Sequence, residues 1–403
     1  MLKEQILKKA VTPAYIFSLD ELEDRVRLIR KILGDRIRIV FAVKANPFLV
    51  ETLSPLVDGF EACSPGEDRI CRALNVPSDK MVISGVNKEE ASVAEQVRFH
   101  KEKAVYTVES PLQMALLNKA ALKAGCRINV LLRLSSGNQF GMDEKTLKEL
   151  LGRREDYTKV RVRGLQFFSG TQKKSRRISQ EIAAADELLT ALHASGASGT
   201  DCLQEFEFGP GLPVSYFPSD KETPDEVLLE SLREDLDAMR YRGQITLEIG
   251  RFLAAHCGYY LTEVSDLKET GETGYCIVDG GIHQLNYYGQ MMGMKIPHLS
   301  LLRKEGGITP LPEGAEANDH RTVCGSLCTT ADVLIRDLPV SGLKGGDVLV
   351  FERAGAYSVT EGISLFLSRD LPRVYLTKQD TIIEVRKQVL TEELNYGRIN
   401  PDS

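Results

Sequence analysis

Several things are missing from this sequence, and each absence narrows what it can be. No stretch of its 403 residues is long and apolar enough to cross a membrane as a helix, so no membrane-spanning role is expected. The opening Met1-Leu2-Lys3-Glu4-Gln5 is charged and has no signal-peptide core. The chain lacks positive charge overall: its formal net charge is −6, which makes nucleic acid an unexpected partner. Its eight cysteines (Cys63, Cys71, Cys126, Cys202, Cys257, Cys276, Cys324 and Cys328) are scattered. They form no tight disulfide framework, and a reducing cytoplasm is the expected compartment. Cys324 and Cys328 are spaced like half a metal site, but no second Cys/His pair accompanies them, and the six histidines are dispersed. No metal is expected. Nor does any block of 20–50 residues repeat.

What is present reads as an ordinary globular protein, 42% hydrophobic and 27% charged, long enough for two domains. Short apolar runs occur at 37–44, 59–64, 81–86, 104–109, 127–134, 162–168, 205–208 and 244–248. Helical patterns separate most of them, clearest at Pro65 to Leu74, Lys88 to Phe99, Pro111 to Ala124, Ile178 to Ser195 and Asp225 to Tyr241. Such alternation means a parallel sheet, and eight units in this length predict an α/β fold, a (β/α)8 TIM-like barrel. A doubly wound open sheet would carry a Gly-rich turn after its first strand. Here that turn is Lys44-Ala45-Asn46-Pro47, without glycine. Ser18 and Glu21 form a capping-box pattern opening a helix that runs to Leu33, and Thr12 to Phe17 reads as a separate extended piece. Beyond residue 252 strand-like runs recur without helices, at 257–266, 274–279, 321–325, 332–337, 347–352, 373–377 and 381–386. The expected organisation is a barrel over 18–252, and an all-β C-terminal domain formed by 1–17 plus 253–403. Residues 303–320 read as a loop, and the polar tail from Thr391 to Ser403 as partly disordered.

In a barrel of this kind the chemistry sits at the C-terminal ends of the strands. The first strand ends at Lys44, within Phe41-Ala42-Val43-Lys44-Ala45-Asn46. A lysine there is costly to bury unless paired or used, and it can form a Schiff base with a carbonyl compound. The second ends Glu61-Ala62-Cys63-Ser64, the sixth Phe167-Phe168-Ser169-Gly170-Thr171-Gln172, the seventh Gly209-Pro210-Gly211 and the eighth Glu248-Ile249-Gly250-Arg251. Glycine exits beside an arginine suit a phosphate, because bare backbone N–H groups can approach it closely.

These motifs together resemble the fold-type III pyridoxal-phosphate-dependent decarboxylases, the family of diaminopimelate and ornithine decarboxylases. Phe41 to Asn46 resembles the family's cofactor-lysine motif, and Glu248 to Arg251 its Glu-x-Gly-Arg motif. Val278-Asp279-Gly280-Gly281, Cys324 to Asp332 and Ala354-Gly355-Ala356-Tyr357 resemble its C-terminal signatures. The resemblance implies pyridoxal phosphate as cofactor, with Lys44 as its covalent anchor and Glu248 pairing with its ring nitrogen. Glu61 and Phe168 would lie by the ring, and Thr171, Gly211, Gly250, Arg251 and Tyr357 around the phosphate. It further implies a homodimer with shared active sites. There Cys328 would reprotonate the α-carbon after CO2 leaves, and Asp332 and Asp279 would meet an amino-acid substrate. Each residue also has a plainer reading: Glu61 as a solvated strand end, Glu248 as a rim ion pair, Cys328 as a structural cysteine, and Asp279 and Asp332 as turn residues.

The chain departs from the family pattern in three places, and two of its segments resemble one branch of the family. Phe168 stands where many members have histidine; it can stack but not ionise. Pro210 removes a backbone donor from the phosphate loop. Thr329 follows Cys328 where diaminopimelate decarboxylases typically place glutamate, which argues against diaminopimelate. Gln139-Phe140-Gly141-Met142-Asp143 and Ser169-Gly170-Thr171-Gln172 resemble a branch acting on carrier-protein-bound or conjugated amino acids. Two alternatives stand beside decarboxylation. A racemase would carry a Tyr-Gly-His-Gly-like run where Pro47-Phe48-Leu49-Val50 stands, and a non-catalytic regulator would tend to lose Lys44.

Overall fold

The computed structural model describes residues 2–194, 203–287, 293–312 and 317–397. The chain divides into two compact units, one formed by Asp24–Val214 with Thr223–Leu253, the other by Met1–Glu23, Ser215–Glu222 and Ala254–Ser403.

The first unit is a closed barrel of eight parallel strands: Arg38–Ala42, Gly59–Ala62, Met81–Ile83, Val105–Val108, Ile128–Leu134, Val160–Phe168, Glu205–Gly209 and Gln244–Ile249. Pairing of Arg38–Ala42 with Gln244–Ile249 closes it and rules out the open-sheet alternative. The helices Pro65–Ala73 and Pro111–Ala124 start by the same local device. Ser64 and Ser110 are N-caps that accept from the N–H of Glu67 and Gln113, and a proline follows each at the first helical position. The Glu67 carboxylate accepts from Cys63 N at 2.7 Å, and the Gln113 amide oxygen from Glu109 N at 2.9 Å. Both helices are thereby tied to the strand exits that precede them. At the first strand exit Asn46 does the work that glycine does elsewhere. Its side chain accepts from Phe48 N at 3.0 Å and holds the turn after Lys44.

The second unit carries, among the described residues, a ten-stranded sheet. The extended piece Ala14–Ser18 lies inside it, antiparallel to Gly258–Thr270 and parallel to Arg373–Lys378, with all five residues buried. Ile16, Leu261, Val350 and Tyr375 pack there with Leu2 and Leu7. The capping box after this strand is half formed. Ser18 Oγ accepts from Glu21 N at 3.3 Å, while the Glu21 carboxylate takes the Tyr259 hydroxyl at 2.8 Å. The reading of 303–320 as a loop is corrected: Ile308–Leu311 is a strand paired antiparallel with Leu299–Leu302, whose own run was also not expected. The end of the expected helix at Ser195 and the tail from 398 to 403 lie outside the described residues. No helix among the described residues is long and apolar enough to cross a membrane.

Candidate active site

In the barrel unit, Lys44 lies in a one-turn 3-10 helix, Val43–Ala45, directly after the first strand. The turn aims its amine across the barrel mouth, where Nζ lies 3.0 Å from Glu248 Oε1 and 3.4 Å from Glu61 Oε2. Cys63 Sγ is 3.7 Å away, and the Phe168 ring centroid 5.4 Å. The lysine side chain keeps 33% of its surface exposed while the two carboxylates are buried. Glu61 is therefore no solvated strand end.

Two further residues complete this cluster, and sequence reading missed both. Gln166, on the sixth strand, donates through Nε2 to Glu61 Oε1 at 3.1 Å and to Glu207 Oε1 at 2.6 Å. Glu207, on the seventh, is fully buried. Ligand atoms of Glu61, Glu207 and Glu248 lie within 4.8 Å of one another. Glu207 Oε2 and Gln166 Oε1 have no hydrogen-bond partner among the described residues. The signal for both was strand alternation: Gln166 precedes Phe168 by two residues and Glu207 precedes Gly209 by two, so each pair shares the inward face.

Three clustered buried carboxylates, two of them beside one ammonium, cannot all be charged cheaply. Burial, then the charge of Glu61, push Glu248 up to about 8, against the pull of Lys44. Burial raises Glu61 as well, but the Lys44 ammonium, hydrogen bonds with Glu248 and Ser84, and Arg133 outweigh it and bring Glu61 to about 2. Glu207 has no cation beside it. Burial and then the charges of Glu61 and Glu248 push it well above the ordinary range. The cluster thus holds protons near neutrality, with Glu61 as its negative member.

At the same end of the barrel, just past the strand Gln244–Ile249 that pairs with the strand before Lys44, Arg251 Nε donates to Thr171 Oγ1 at 3.3 Å. Gly211 has φ +62°, and a Cβ there would fall 2.2 Å from the Gly170 carbonyl oxygen. Only glycine lets these two loops approach so closely. Lys173 was also missed. Its Nζ donates to Glu181 at 2.7 Å, Ser169 at 3.0 Å and the Gly209 carbonyl at 3.2 Å, adding a cation beneath these loops. The segment Gln139 to Asp143 is pinned rather than loose: Gly141 N donates to Glu109 Oε2 at 3.0 Å, and Glu109 pairs with Arg133 at 3.1 Å.

The remaining expected site residues belong to the other unit. Asp279 Oδ1 accepts from Thr262 Oγ1 at 2.7 Å and Glu263 N at 2.9 Å. Asp332 is buried, with both carboxylate oxygens on backbone amides. Cys328 is exposed, and so is no buried structural cysteine. Tyr357 is half-buried at φ +70°, and its carbonyl accepts from the N–H groups of Thr360 and Glu361.

A family model described as "Pyridoxal-dependent decarboxylase, pyridoxal binding domain" matches residues 19–255. A diaminopimelate decarboxylase of Vibrio cholerae is 30% identical, the match covering 87% of this chain and 84% of the relative. The 2-[(L-alanin-3-ylcarbamoyl)methyl]-2-hydroxybutanedioate decarboxylase of Staphylococcus aureus is 26% identical, covering 90% and 94%. Among solved structures, the diaminopimelate decarboxylase of M. jannaschi has the same fold, with a TM-score of 0.84 at 21% identity over 99% of this chain and 95% of that one.

Proposed function

The chain belongs to the pyridoxal-dependent decarboxylases, and on that premise we propose that it removes the α-carboxylate of an amino acid joined to a larger group. It is an amino-acid decarboxylase of fold type III, and its family implies pyridoxal phosphate as cofactor. The residues present fit that group. An amine flanked by carboxylates, an aromatic face, and a glycine cradle beside a buried arginine are the donor set that an aromatic aldehyde phosphate needs. Lys44 would hold its carbonyl carbon, Glu248 its ring nitrogen and Phe168 its ring face. Glu61 would keep Lys44 in place. Thr171, Gly211, Gly250, Arg251 and Tyr357 would hold its phosphate. When bound, the cofactor supplies an electron sink for the pair left behind by CO2.

The chain's own residues do the rest. Glu248 lies 3.0 Å from Lys44 Nζ in this structure; with the cofactor in place it would face the ring nitrogen, and Glu61, 3.4 Å from the amine, would be the carboxylate left beside Lys44. Cys328 gives its thiol proton to the substrate's α-carbon once the carboxylate has left, and recovers a proton from solvent. We read the active form as a homodimer, in which Cys328 of one copy serves Lys44 of the other. In support, Ile363, Leu365, Phe366, Leu367, Leu390 and Leu394 are exposed apolar residues of the kind a second copy covers.

The observation that carries the substrate reading is the segment beside Cys328. Thr329, Thr330 and Ala331 are exposed and uncharged. They offer no carboxylate for the distal ammonium of a free diamino acid. The Staphylococcus aureus relative, named for a conjugated amino acid, supports the same reading. The test is CO2 release by cofactor-loaded enzyme across lysine, ornithine, arginine, glutamate, diaminopimelate, amide-conjugated amino acids and carrier-tethered glutamate. Release from a conjugated or tethered member alone is expected; efficient release from free diaminopimelate would overturn the substrate reading.

A further inference from the structure

Resemblance assigns Asp332 to the substrate, but its surroundings give it another task. Asp332 Oδ1 accepts from Ile282 N at 2.8 Å and Oδ2 from Leu327 N at 2.8 Å. Only 2% of the residue is exposed. Its own carbonyl accepts from Gly325 N at 3.1 Å, and its N–H donates to the Thr329 carbonyl at 3.2 Å. Two glycines wall the carboxylate in. A Cβ at Gly325 would fall 2.3 Å and 2.4 Å from its oxygens, and one at Gly281 2.7 Å from both. A side chain so enclosed has no open face to offer an amine.

What those bonds hold is the loop that carries Cys328. Ser326 N donates to the Gly280 carbonyl at 2.7 Å and Arg369 donates to the Ser326 carbonyl at 2.6 Å, so the entry of the loop is fixed at 325–327. Its exit is fixed at Asp332. Between the two pins only Cys328, Thr329, Thr330 and Ala331 are exposed. Asp332 joins both ends of the loop through one carboxylate, as a capping aspartate joins the ends of a turn. We propose that Asp332 is a positioning residue that sets the place of the Cys328 thiol, and is not a ligand of the substrate.

This inference rests on the reading of Cys328 as the proton donor, and the experiment separates the two. Cofactor-loaded Asp332→Asn, Gly281→Ala and Cys328→Ala enzymes are assayed on whichever substrate releases CO2. Gly281→Ala keeps the carboxylate and its added Cβ meets only the Asp332 side chain, so the test survives if Asp332→Asn fails to fold. Three quantities are read: kcat against KM, loss of cofactor absorbance per turnover, and the alkylation rate of Cys328 by iodoacetamide in cofactor-free protein. A displaced thiol lowers kcat on the order of 10²-fold, with KM within about two-fold. Abortive turnovers rise and the alkylation rate changes, in both positioning variants. A raised KM for Asp332→Asn with kcat and alkylation unchanged would make Asp332 a substrate ligand and overturn the inference. Parent-like behaviour of Asp332→Asn and Gly281→Ala beside a crippled Cys328→Ala would overturn it alone. A parent-like Cys328→Ala would remove the proton-donor reading and the inference with it.

Discussion

The two regions that carry the expected chemistry are built on opposite principles. In the barrel mouth Lys44, Glu61, Glu207 and Glu248 are charged or titratable, and most of their partners are one another. Around Cys328 the single carboxylate of Asp332 is spent on backbone amides, and the loop residues beside the thiol are neutral. The barrel region is arranged by electrostatics, so substitutions there should move protonation states. The loop region is arranged by backbone geometry, so substitutions there should move rates and product partition and leave titration alone.

The largest effect is expected at Lys44. Lys44→Ala should lose both the absorbance of covalently held cofactor and all turnover; a variant with full turnover would end the account of the barrel mouth. Next comes Glu248→Gln, which keeps shape but removes the charge that would face the ring nitrogen. Its kcat should fall on the order of 10²–10³-fold, as when a preorganised charge partner is removed, while the protein still binds cofactor. A drop confined to KM would instead make Glu248 a uniform binding group.

A smaller effect, visible without cofactor, is expected at Glu207. Its folded-state pKa is raised above the unfolded value, so its contribution to stability is full below about pH 4.3 and is lost as pH climbs towards the folded value. Glu207→Gln removes that loss, because its neutral amide has no proton to give up. The variant's Tm should match the parent's near pH 4 and exceed it by a widening margin of a few degrees up to pH 8. A constant offset at all pH values would show that Glu207 is not the neutral member of the cluster.

The contrast also explains what could be read in advance. The barrel was legible because each strand exit couples a short apolar run to a helix start, and Ser64-Pro65 and Ser110-Pro111 mark two of those starts outright. Lys44 and Glu248 were legible because each ends a strand. Glu207 and Gln166 were not, because they sit one inward layer deeper, inside runs that read as core. In the second unit Ile308–Leu311 holds Pro310 and the exposed Thr309, so its strand forms by pairing with Leu299–Leu302 and not by its own propensity. The bonds of Asp332 were invisible for a related reason: all four of its partners are backbone groups whose positions only the folded loop defines.

The central claim is that the two differently built regions serve one reaction, with Lys44 of one copy and Cys328 of another in each active site. It is tested most directly by mixing inactive Lys44→Ala with inactive Cys328→Ala protein under exchange conditions. Random pairing makes half the dimers mixed, each with one complete site of two. The account therefore predicts recovery of about a quarter of parental activity, as two-fold symmetry requires. Recovery of none, with mixed dimers shown to form, would contradict it.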